Sequence, residues 1–116
     1  MPSVDLSRQV QQKIDEVAGL AGFVSVEGDC WVREHGWRTD RIDLEFKKMY
    51  FTINLYVNIP PIPNTRFEFT TLAFKNLPTL CGDTDSVYRY PTSTTNQCNL
   101  IERIERELKH GFDWFE

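Results

Sequence analysis

The chain has 116 residues, 41% of them hydrophobic and 13% aromatic, which suits one domain with one core and is too apolar for a disordered segment. Lysine and arginine total 13 against 17 aspartates and glutamates, a formal charge of −4; that sign disfavours a phosphate backbone and favours a basic protein partner. No apolar run approaches the roughly 18 residues needed to cross a bilayer.

The opening residues Met1-Pro2-Ser3-Val4-Asp5-Leu6 lack the basic start and apolar stretch of a secretion signal, and neither end carries a lipidation signal. Three cysteines, Cys30, Cys81 and Cys98, are widely spaced and odd in number. They read as free thiols and not as a disulfide framework. A cytoplasmic protein is expected, with no membrane and no nucleic acid among its partners.

Val10, Ile14, Val17, Ala18 and Ala21 fall at helical spacing and predict a helix over Ser7 to Ala21. Asp5 or Ser7 is placed to cap its start and Gly22 to end it. Phe23 to Val26 and Cys30 to Glu34 then read as two short strands joined at Glu27-Gly28-Asp29, and His35-Gly36 as the next turn.

From Arg41 to Phe46, Ile42, Leu44 and Phe46 alternate with Arg41, Asp43 and Glu45, and Lys47-Lys48 marks a turn. The clearest pattern follows. Phe51, Ile53, Leu55, Val57 and Ile59 form one face of a strand, and Tyr50, Thr52, Asn54, Tyr56 and Asn58 form the other. Period two over ten residues predicts a strand covered on one side. The Asn54 and Asn58 amides need partners and do not suit a fully buried face.

Pro60, Pro61 and Pro63 lack the N–H that a ladder needs and stop the pairing. Phe67, Phe69 and Thr71, alternating with Arg66, Glu68 and Thr70, predict another strand that becomes irregular near Lys75. Asn76 to Ser86 reads as a loop, Val87 to Tyr90 as a short edge strand, and Thr92 to Asn96 as a polar turn. A final helix is expected from about Asn99, with Leu100, Ile101, Ile104 and Leu108 as its apolar stripe. Glu102 with Arg106 and Glu105 with Lys109 would support it as i, i+4 pairs, and Gly111 would end it.

No helices interleave with the strands to make right-handed crossovers. The expected fold is therefore α+β: one domain over residues 1–116, a mainly antiparallel sheet of four or five strands, and N- and C-terminal helices packed on one face.

Catalytic signals are sparse. His35 sits by a turn and His110 near the expected end of the last helix, where it would meet the last carbonyls; neither has a metal-ligand neighbour at a characteristic spacing. Cys81-Gly82-Asp83-Thr84-Asp85 is the most site-like short stretch. It is too short for an EF-hand and lacks the closing glutamate, so an Asp-rich turn is the plainer reading. A small metal-dependent hydrolase using this loop is the alternative. Asp43 and Glu45 lie side by side with Arg41, which suits a solvated or ion-paired face more than a glycosidase carboxylate pair. No nucleophile elbow, phosphate loop or dinucleotide glycine pattern is present. No catalytic residue, metal or cofactor is expected.

The face of Tyr50, Thr52, Asn54, Tyr56 and Asn58, flanked by Asp43 and Glu45, is the candidate interface. Tyrosine rings bury large area, and the amides offer adaptable hydrogen bonds. A basic protein is the expected partner; a second copy of the chain, in a purely structural homodimer, is the alternative.

Gly22-Phe23, Trp31-Val32-Arg33, Ile42-Asp43-Leu44-Glu45 and Phe51-Thr52-Ile53-Asn54-Leu55-Tyr56-Val57 together resemble the bacterial family called domain of unknown function 4304. The resemblance covers roughly residues 10–60 and implies an α+β domain with no established enzyme activity. By size, acidity and expected fold the chain is also similar to immunity proteins that neutralise bacterial toxins.

Overall fold

A computed structural model describes residues 4–59 and 70–115. The elements run α1 (Val4–Leu20), β1 (Val24–Val26), β2 (Cys30–His35), β3 (Arg38–Phe46), β4 (Tyr50–Ile59), β5 (Thr70–Asn76), α2 (Leu77–Leu80), β6 (Tyr88–Arg89) and α3 (Thr94–Phe115). The first five strands pair antiparallel in chain order, β1-β2-β3-β4-β5. β6 pairs with Tyr50 and Phe51, beside β4 on the edge that β5 leaves uncovered. The fold is α+β with a mainly antiparallel sheet, as expected, and the described residues contribute six strands to it where four or five were expected.

α1 begins a turn earlier than Ser7. Asp5 therefore lies inside it, where its Oδ2 accepts a hydrogen bond from Gln9 Nε2 at 3.0 Å. The C-terminus closes as expected. Phe23 N–H donates to Ala18 O at 2.9 Å and Gly22 N–H to Gly19 O at 3.1 Å, the paired bonds of a Schellman motif. Gly22 supplies the left-handed residue this requires, at φ +91°. The β2–β3 hairpin turns on Gly36-Trp37, and Gly36 takes the positive φ of its first central position.

β3 and β4 form the centre of the sheet, paired from Thr39–Asn58 to Phe46–Phe51. Ile42, Leu44, Phe51, Ile53, Leu55 and Val57 point to one face and are buried with Trp31. α1 covers that face with Val10, Ile14 and Val17, and α3 with Leu100, Ile104, Leu108 and Phe115. Trp31 Nε1 donates to Asp15 Oδ1 at 3.2 Å, so the buried ring keeps a partner for its polar edge.

Several expectations change on the C-terminal side. β5 runs through Lys75 to Asn76 without breaking up; its expected start at Arg66 to Phe69, like Pro60, Pro61 and Pro63, lies outside the described residues. The expected loop from Asn76 to Ser86 contains α2, whose proline falls in the first turn, where a missing N–H costs nothing.

The last helix starts at Thr94 and not at Asn99. Ser93 Oγ accepts the Asn96 N–H at 3.1 Å and caps it. Nor does Gly111 end it. The helix continues to Phe115, because Gly111 is buried and makes room for packing: a Cβ there would lie 3.0 Å from both Leu55 Cδ1 and Leu77 Cδ1. His110 is accordingly exposed within the helix, away from its last carbonyls. Of the two expected ion pairs, Glu105–Lys109 forms at 3.7 Å. Among the described residues no ion pair joins Glu102 to Arg106; Arg103 pairs with Glu107 at 2.7 Å instead.

No helix among the described residues is long and apolar enough to cross a membrane.

Candidate protein interface

Both long helices pack on the same face of the sheet, so the other face carries the alternate side chains of each strand. The register aligns them in rows across the strands. Val24, Val32, Arg41, Tyr56 and Phe74 are successive cross-strand partners and form one row from β1 to β5. At a strand spacing of about 4.8 Å this row is about 19 Å long. Beside it runs a second row, Val26, Cys30, Asp43, Asn54 and Asn76.

The first row is apolar at its ends, with Arg41 and Tyr56 in contact between them. Val24 is 65% exposed, Val26 in the adjoining row 42% and Phe74 45%. The Tyr56 and Phe74 rings lie 5.1 Å apart, and the Arg41 guanidinium is 5.9 Å from the Tyr56 ring. Arg41 also donates to Asp43 Oδ1 at 2.6 Å. Burial, and then the nearby Asp43 carboxylate, hold the Tyr56 phenol above its ordinary pKa, so it remains a hydrogen-bond donor at neutral pH.

Six of the seven residues expected in the interface lie open on this face. Thr52, Asn54, Tyr56 and Asp43 are half-buried and Glu45 is exposed. Asn54 accepts a hydrogen bond from Asn76 Nδ2 at 2.7 Å, which answers its amide's need for a partner. Tyr50 is half-buried at the β6 end, with the Arg89 guanidinium 5.8 Å from its ring. Asn58 differs. It is 7% exposed, so its side chain offers little surface to a partner. Alternation within a single strand does not reveal the apolar members Val24, Val26, Val32 and Phe74. Only the strand register shows that they join Tyr56.

At the β1–β3 end the face dips into a depression of about 530 Å³. Val26, Cys30 and Val32 line it together with the carboxylates of Glu27, Asp29, Asp43 and Glu45 and the Arg41 guanidinium. Desolvation raises the Cys30 thiol to a pKa of about 11, which leaves it protonated and a poor nucleophile at neutral pH. All three cysteines are free; Cys30 and Cys81 are half-buried and Cys98 is exposed.

The Cys81–Asp85 loop is organised by ion pairs and not around a common point. Asp83 Oδ2 pairs with Arg103 at 2.5 Å, and its Oδ1 accepts the Asp85 N–H at 3.0 Å. Asp85 pairs with Arg89 at 3.2 Å. Arg103 also holds Glu107, which accepts a hydrogen bond from the buried Tyr88 hydroxyl at 2.8 Å. Among the described residues, no three His, Cys, Asp or Glu side chains converge so that they could hold a metal ion. These contacts tie the loop to α3.

No protein-family model, curated protein or solved structure matches this chain.

Proposed function

We propose that the protein is a non-enzymatic binding domain whose open sheet face docks a basic protein. The supporting observation is the row Val24–Val32–Arg41–Tyr56–Phe74, which leaves apolar and aromatic surface exposed on the face that the helices do not cover. Tyrosine, phenylalanine and arginine are efficient anchors because they bury much area for few lost torsions. Carboxylates border this row, and the whole chain has a formal charge of −4. Such a surface steers a cationic partner into contact and repels nucleic acid. An immunity protein that neutralises a basic toxin is the role in which this chemistry would be used.

Photo-cross-linking in cells tests the proposal. A benzophenone amino acid replaces Tyr56 on the open face or Arg8, an exposed position on α1. The reading expects a basic protein captured from position 56 and not from position 8. Capture of only a second copy of the chain, equal capture from both positions, or no capture at 56 would overturn it.

A further inference from the structure

The open face is not uniform along its central row. Its β4–β5 end is aromatic and neutral, with the Tyr56 ring tilted against Phe74 and the amides of Asn54 and Asn76 joined beside them. Its β1–β3 end contains the depression, with four carboxylates and one guanidinium around it. Two of those carboxylates are already matched: Asp43 pairs with Arg41 at 2.6 Å and Glu45 with Lys47 at 2.5 Å. Glu27 and Asp29, on the β1–β2 turn, have no ion-pair partner among the described residues. The depression therefore keeps an excess of negative charge, while Val26 and Val32 give it an apolar wall. Carboxylates above an apolar wall suit a long cationic side chain, whose methylenes lie on the wall while its head meets the charges.

We infer that this depression receives an arginine or lysine side chain of the docked protein, while an apolar part of the same partner covers Tyr56 and Phe74. The inference rests on the reading of the open face as a protein interface and adds the polarity of docking. The partner's cation lies over β1–β3 and its apolar contact over β4–β5, about 10–15 Å away at the ordinary strand spacing. Charge complementarity selects a basic protein here over a second copy, since a copy would bring the same carboxylates to the same face.

The test uses the intact chain and a defined probe. Acetyl-arginine methylamide is titrated into isotope-labelled protein at millimolar concentration, with acetyl-lysine methylamide as a second cation and acetyl-citrulline methylamide as the neutral control. The two cations should shift the backbone amides of residues 26–32 and 41–45, and citrulline should not. The double variant Glu27→Gln with Asp29→Asn should keep the parent spectrum elsewhere and weaken the cation response at least fivefold. Shifts spread over the whole acidic surface, an equal response to citrulline, or an unchanged response in the double variant would overturn the inference. Partner capture at position 56 reads the interface separately: if it persists while the cation titration fails, the pocket is wrong and the face is right.

Discussion

Replacing Asp40 with alanine should destabilise the protein by about 3–5 kcal/mol in urea unfolding, the usual cost of removing one member of a buried ion pair. Asp40 is 0% exposed and lies on the helix-covered side of β3. Arg33 donates to its Oδ2 through Nε at 3.2 Å and Nη2 at 2.7 Å, and Arg38 Nε lies 3.2 Å from its Oδ1. Arg33 does more than balance the charge. It donates to Ala21 O at 3.1 Å where α1 ends, and its guanidinium lies 4.7 Å from the Phe23 ring and 5.7 Å from the Phe115 ring. Without the carboxylate, the Arg33 guanidinium loses its acceptor in a desolvated space. Removing the Arg33 charge as well relieves its share of the penalty, so Arg33→Met with Asp40→Leu should be more stable than Asp40→Ala alone. A loss below about 1 kcal/mol for Asp40→Ala would contradict the buried environment assigned to it.

Phe115→Ala should have a comparable effect, about 3–5 kcal/mol, the range for emptying a buried aromatic site. Phe115 is 0% exposed although it is next to the last residue of the chain. Its ring lies 5.6 Å from Phe23 and 5.3 Å from Trp114, and Phe23 stacks in turn on Phe112 at 5.6 Å. The end of α3 thereby locks the end of α1 through Phe23 and Arg33. Calorimetry or urea titration of Phe115→Ala reads the effect directly. Stability within about 0.5 kcal/mol of the parent would show that the C-terminal turn is peripheral, as surface positions usually are.

The central strand was legible because its evidence is local. Ten residues of strict alternation from Tyr50 to Ile59 assign both the element and its buried side, and Ile42 and Leu44 repeat the pattern beside it. Gly22 was legible for the same reason, since one glycine at the end of an apolar stripe ends α1. Gly111 shows the limit of that rule. It too follows an apolar stripe, but it serves close packing against Leu55 and Leu77. The contrary signal was in the sequence: Ile104, Leu108, Gly111 and Phe115 continue at i, i+4, i+7 and i+11, a helical stripe that passes through the glycine.

The candidate face was half legible. Tyr50, Thr52, Asn54 and Tyr56 follow from alternation in one strand, and Asp43 and Glu45 from the next. That Val24, Val32 and Phe74 complete the Tyr56 row depends on how the strands align, which is set by turn geometry and tertiary packing beyond any single segment. The burial of Asn58 is of the same kind. It follows a register shift between Val57 and Asn58 on β4 that no alternation pattern announces.

The claim that the open face is the binding surface is tested most directly by affinity. Once cross-linking has identified the partner, it is titrated into the parent protein, Tyr56→Ala, Phe74→Ala and the helix-side control Arg8→Ala. The account predicts at least a tenfold loss for each of the two sheet-face variants and parent affinity for Arg8→Ala, with binding of the parent weakened by added salt. Parent-like affinity for both Tyr56→Ala and Phe74→Ala would contradict it.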